Sequence, residues 1–61
     1  MSIIEQIKQI RKQSGLTQKK LAQNAGLTPD AISDIENGKR SAGIDILEKI
    51  ARGLNKEWRL I

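Results

Sequence analysis

The chain contains no cysteine and no histidine, and a tryptophan is its single aromatic residue. The lack of cysteine excludes disulfides and thiolate metal sites, and the lack of histidine removes the usual general base near neutral pH. No apolar run is long enough for a transmembrane segment or a signal-peptide core. Sixty-one residues suffice for one small domain without a large substrate cleft. Most kinds of enzyme are thereby excluded, and no cofactor or metal is expected.

Positive charge is in excess, with eleven Lys and Arg residues against seven Asp and Glu, a net charge of +4. A basic surface alone is a weak indication of nucleic-acid binding, because many solvated surfaces are basic. RNA-binding and single-strand-binding sheets stack bases on several aromatic rings, which this chain does not have. The composition therefore predicts a cytoplasmic, basic binding domain that is stabilised by self-association.

Apolar residues recur at helical spacing along most of the chain. The pattern predicts helices over residues 3–13, 18–25, 29–37 and 44–52, and in the first three a hydroxyl residue marks the start and a glycine the end. The residues expected to face the core are Ile3, Ile4, Ile7, Ile10, Leu21, Ala22, Ala25, Ile32, Ile35, Ile44, Leu47, Ile50 and Ala51.

The two short central helices form the most specific pattern. A helix of eight residues, a three-residue turn that begins at Gly26 and a further helix predict a helix-turn-helix over residues 18–37. Ala22 is expected to be small because the second of these helices crosses close to it. Gly26 is expected where a Cβ atom would clash.

These stretches resemble the lambda-repressor/Cro-like helix-turn-helix family, also called the xenobiotic-response-element type. The matching motifs are Gly15-Leu16-Thr17-Gln18, Leu21-Ala22, Ala25-Gly26-Leu27-Thr28 and Ile32-Ser33-Asp34-Ile35-Glu36-Asn37-Gly38-Lys39-Arg40. The resemblance covers about residues 3–54 and implies that residues 1–61 form one DNA-binding domain. It also implies an all-α, compact bundle, usually of five helices, that binds double-stranded operator DNA as a homodimer and most often represses transcription.

The last six residues, 56–61, depart from the five-helix pattern. They are similar to the tail of persistence-type antitoxins, in which a short strand pairs with its copy from the partner subunit. Trp58 and Leu60 alternate with charged residues, which is strand period, whereas Leu54, Trp58 and Ile61 are at helical spacing. The predicted fold is thus a bundle of four to five helices, and a C-terminal dimerisation strand is preferred to a fifth helix. Trp58 and Leu60 are assigned to the dimer interface, where as paired strands they would stack across the two-fold axis.

The resemblance also assigns residues to DNA contacts, because in this fold the third helix enters the major groove. The base-reading group that it implies is Thr28, Pro29, Asp30, Ser33 and Asp34. The phosphate-binding group that it implies is Gln18, Asn37, Lys39 and Arg40. Lys19 is added because its place on the second helix is within reach of a phosphate, although such a lysine also fits a solvated face. Gln18 is also expected to brace the recognition helix, and Arg11 and Glu36 are expected to form a partly buried ion pair.

The acidity of the third helix complicates this assignment, since residues 29–38 contain three acidic side chains and no basic one. An aspartate accepts a hydrogen bond from a cytosine amine, but it is repelled by nearby phosphates. Asp30 has an equally good structural role, because an acid in the first turn stabilises the helix dipole. Pro29 likewise serves as a helix starter.

Three functions are compatible with these observations. The preferred one is a sequence-specific repressor that binds double-stranded DNA. The second is an antitoxin that binds a toxin protein and represses its own operon, and the third is a protein-interaction module without DNA binding. Catalysis is not expected, because the serines have no histidine base beside them.

Overall fold

The computed structural model describes residues 2–55, which form four helices and no strand. These helices are α1 (Ile3–Gln13), α2 (Gln18–Ala25), α3 (Pro29–Glu36) and α4 (Ile44–Asn55). Residues 56–61, and with them the choice between a strand and a fifth helix, lie outside this range. None of the four helices combines the length and the apolar character that crossing a bilayer requires.

Hydroxyl caps explain the starts of α1, α2 and α3. Ser2, Thr17 and Thr28 each accept a hydrogen bond from the backbone N–H three residues further on, at 3.0–3.2 Å. Each bond satisfies one of the N–H groups that a helix N-terminus leaves without an intrahelical partner. The predicted ends of α1 and α2 agree with the structure, while α3 ends at Glu36 with Asn37 as its cap.

The core lies around α2, which packs against α3 on one side and α4 on the other. Leu21, Ile32 and Ile50 are its largest fully buried side chains, one from each of these three helices. Helix α1 packs against α3. Leu16, in the loop between α1 and α2, is also buried in this core although helical spacing did not predict it.

Helix α4 differs from the sequence prediction in its length and in the face that it buries. It continues to Asn55, and Ile44 and Ala51, both predicted to be buried, are exposed. The reason is Gly53, which faces α2 so closely that a Cβ atom there would lie 3.1 Å from the Ala25 Cβ. At about 100° per residue, Ile44 and Ala51 lie on the opposite side of α4 from Gly53.

An apolar groove separates α1 from α4. Ile3, which was predicted to be buried, is 56% exposed at its edge, because α1 packs against α3 and leaves part of its apolar stripe uncovered. The groove has a volume of about 230 Å³. Its lining residues are Ile3, Gln6, Ile7, Ile10, Leu47, Ala51 and Leu54.

Candidate nucleic-acid interface

The turn between α2 and α3 sets the angle at which α3 leaves the body of the protein. Gly26 has a φ of +72°, in the left-handed region, and Leu27 donates its backbone N–H to the Ala22 carbonyl at 2.9 Å. A Cβ atom at Gly26 would have no neighbour within 4 Å, so the predicted clash is wrong. Glycine is needed there because other L-residues are strained at this backbone conformation.

A buried ion pair joins α1 to the end of α3, as the family resemblance implies. Arg11 donates from Nε to Glu36 Oε2 at 2.6 Å and from Nη2 to Glu36 Oε1 at 3.0 Å. Its third nitrogen, Nη1, donates to the Leu16 carbonyl at 2.8 Å. The two side chains are only 9% and 1% exposed. Three charge-assisted hydrogen bonds from one guanidinium therefore hold α1, the following loop and α3 in one arrangement.

Gln18 extends this network to the start of α2. Its Nε2 donates to Glu36 Oε1 at 3.0 Å, so the first residue of α2 is bonded to the last residue of α3. Burial alone raises the pKa of Glu36, but the hydrogen bonds from Arg11 and Gln18, with the charges of Arg11 and Lys8, outweigh it. The pKa therefore lies below its ordinary value, and Glu36 is ionised at neutral pH.

The predicted base-reading residues share the outward face of α3. Ile32 and Ile35 anchor the opposite face, with 1% and 2% of their surface exposed. Thr28, Pro29 and Asp30 are exposed, and Ser33 and Asp34 are partly exposed. The structure thus brings all five to one accessible surface, formed by the N-cap and the outward face of α3.

The predicted phosphate-binding residues lie at the two borders of that surface. On the α2 side Lys19 is exposed and Gln18 is partly buried against Glu36. On the other side, Asn37, Lys39 and Arg40 follow α3 and are exposed. The Lys39 N–H donates to the Asp34 carbonyl at 2.8 Å, which holds the start of this loop against α3. Trp58 and Leu60, assigned to the dimer interface, lie outside residues 2–55.

Two supports of this surface were missed by sequence reasoning. The first is the Leu16 carbonyl, the third acceptor for Arg11, which only a folded loop can provide. The second is Gly53, whose carbonyl accepts a hydrogen bond from Asn24 Nδ2 at 3.3 Å and whose missing side chain lets α4 approach α2. A glycine inside an otherwise apolar helical stripe was the available signal for this close approach.

Comparison with known proteins agrees with this geometry. A model of a helix-turn-helix family matches residues 7–61. The chain belongs to this Cro/C1-type helix-turn-helix family. No solved structure matches the chain.

Two relatives are named as transcriptional regulators and a third as a control protein. A helix-turn-helix-type transcriptional regulator of Methanothermobacter thermautotrophicus is 39% identical over 51 residues, which cover 84% of this chain and 74% of that protein. The transcriptional regulator PuuR of Escherichia coli is 42% identical over 48 residues, or 79% of this chain but only 26% of PuuR. The control protein C.BamHI of Bacillus amyloliquefaciens is 41% identical over 51 residues, which cover 82% of this chain and 63% of that protein. Family and relatives together support DNA binding in the regulation of transcription.

Proposed function

We propose that this helix-turn-helix protein represses transcription by binding a two-fold symmetric DNA site as a homodimer. The observation that carries the proposal is the network around Glu36. It joins the first residue of α2 to the last residue of α3 and ties both to α1, while the outward face of α3 stays accessible. In this family of folds, α3 lies in the major groove and α2 crosses the DNA backbone.

In this arrangement the two groups of residues have different tasks. The residues on the outward face of α3, namely Thr28, Pro29, Asp30, Ser33 and Asp34, meet base edges and supply selectivity. The residues at its borders, namely Gln18, Lys19, Asn37, Lys39 and Arg40, meet phosphates and supply affinity. Because α3 itself has no basic residue, attraction to the DNA backbone comes from the segments on either side of it.

Gln18 has a double role in this proposal. One N–H of its amide is held by Glu36 at 3.0 Å, and the second N–H of the same nitrogen is available to a phosphate oxygen. A phosphate contact by Gln18 would therefore link the DNA backbone, through one side chain, to Glu36 at the end of α3.

Dimerisation is proposed because an eight-residue recognition helix buries too little surface to select one site well. A second copy places its own α3 about one helical turn, roughly 34 Å, along the DNA. We assign the contact to residues 56–61, with Trp58 and Leu60, which follow α4 in the sequence. In sedimentation equilibrium, the chain without residues 56–61 should be a monomer or unfolded and should lose operator binding. A folded dimer would place the interface elsewhere.

The test of DNA binding uses salt dependence. Fluorescence anisotropy with the duplex upstream of the protein's own gene should give a logarithmic affinity that falls linearly with the logarithm of salt concentration. Replacing Lys39 and Arg40 by alanine should weaken binding to all duplexes alike and reduce this slope by about one to two, as the loss of two phosphate contacts requires.

The matched control removes the same charge from α4 instead of from this loop. Lys49 and Arg52 are exposed on α4, and their replacement by alanine should leave the slope within about half a unit of the original value. If both double variants reduced the slope equally, net charge alone would attract the DNA. The loop with Lys39 and Arg40 would then not belong to the interface. No binding by the original protein would favour a protein-interaction module. The antitoxin alternative depends on the tail outside residues 2–55, and no described contact favours it.

A further inference from the structure

The two aspartates on the outward face of α3 lie one helical turn apart and have no side-chain partner within residues 2–55. Asp30 is exposed and Asp34 is partly exposed, and neither takes part in an ion pair or a side-chain hydrogen bond there. Glu36 on the same helix has both oxygens engaged by Arg11 and Gln18. The carboxylates of Asp30 and Asp34 are thus the unused strong acceptors on the surface that meets the bases.

An ionised carboxylate only accepts hydrogen bonds, and this limits which bases it can read. In the major groove, cytosine and adenine present an amine donor, whereas guanine and thymine present carbonyl oxygens. A carboxylate placed against one strand is therefore attracted to cytosine or adenine and is repelled by guanine or thymine.

Cytosine and adenine differ in the atom beside the amine. In adenine this atom is N7, an acceptor that repels the second carboxylate oxygen, whereas cytosine has a C–H group next to its amine. We propose that Asp30 and Asp34 each select a cytosine on the strand they contact, so that the half-site contains two cytosines read by acceptors. This inference rests on the proposed DNA-binding function.

The other polar groups of this surface do not compete for that role. Ser33 Oγ accepts from Asn37 Nδ2 at 3.4 Å, and Thr28 Oγ1 accepts from the Ala31 N–H at 3.2 Å. Each hydroxyl keeps one O–H to donate, but a single donor cannot make the two-bond contact by which arginine reads guanine. The strongest discrimination between bases therefore comes from the carboxylates.

The experiment is selection of binding sites from a random duplex library by the intact 61-residue chain and by its Asp34→Asn variant. Asparagine has the same shape, but an NH₂ group replaces one oxygen, so it can make two bonds to adenine N6 and N7. We expect cytosine at one position for the original chain and adenine at that position for Asp34→Asn. The preference between the two bases should change by roughly 5- to 150-fold. Asp30→Asn should produce the same exchange at a different position.

Glu48→Gln is the matched control, because it removes the same charge from an exposed side chain on α4. It should return the original consensus. A consensus that is unchanged in both aspartate variants would overturn the inference and leave the proposed function intact. The inference would fail in the same way if both variants bound every duplex more tightly with no change of base preference. Recovery of no sequence by the original chain would instead overturn the proposed function itself.

Discussion

The acidic residues of α3 occupy two contrasting environments only a few residues apart. Glu36, at the C-terminal end, faces inward and is 8% exposed, and it accepts three hydrogen bonds from Arg11 and Gln18. Asp30 and Asp34 face outward and accept none from side chains within residues 2–55. The same chemical group is therefore held by hydrogen bonds on one face of the helix and is left without a side-chain partner on the other.

Solvation explains the difference. A buried carboxylate has lost its water, and it is tolerated only when hydrogen bonds and an opposite charge replace that water. An exposed carboxylate keeps its water until a ligand arrives, so it needs no partner in the free protein. The contrast predicts that substitutions at the inner acid change stability, while substitutions at the outer acids change base preference.

The largest expected effect is that of breaking the buried ion pair between Arg11 and Glu36. Arg11→Met should lower the free energy of unfolding by about 3–5 kcal/mol, because it leaves Glu36 buried without its charge partner. Urea denaturation followed by circular dichroism measures this change. Asp34→Ala, on the outer face, should stay within about 0.5 kcal/mol of the original protein.

A double variant separates the loss of the pair from the loss of packing. Arg11→Met combined with Glu36→Leu should be less destabilised than Arg11→Met alone, because no buried charge is left unpaired. If the losses of unfolding free energy of the two single variants simply added in the double variant, the unpaired buried charge of Glu36 would not be the cause of the destabilisation.

A smaller effect is expected from acid. The pKa of Glu36 in the folded protein lies below its ordinary value of 4.5, so its ionised form favours folding. This contribution is fully present above the unfolded pKa and is lost as the pH falls through the folded pKa. The effect is smaller than that of Arg11→Met, because a protonated Glu36 can still form hydrogen bonds.

The measurement is the urea midpoint between about pH 6 and pH 3. The original protein should lose more stability over this range than Glu36→Gln, which has no proton to take up at that position. Glu48→Gln, an exposed acid on α4, should retain the acid dependence of the original protein. Identical acid dependence in the original protein and in Glu36→Gln would show that Glu36 does not couple folding to pH.

Much of the fold was predictable because its signals are local. A hydroxyl cap or a left-handed glycine acts within one turn of the chain, so Thr17, Thr28 and Gly26 marked the helix-turn-helix correctly. The outward face of α3 followed from the spacing of Ile32 and Ile35. The pairing of Arg11 with Glu36, 25 positions apart, came from family resemblance, since spacing alone relates no residues so far apart.

What the sequence by itself determined was where helices start, which residues share a face and that the central pair forms a helix-turn-helix. The tertiary structure alone decided which face of α4 meets α2, because Gly53 permits a close approach that turns Ile44 and Ala51 outward. It also decided that the side chain of Glu36 has two partners, while those of Asp30 and Asp34 have none within residues 2–55. Local backbone chemistry sets the helices, but the environment of a charge depends on how those helices pack together.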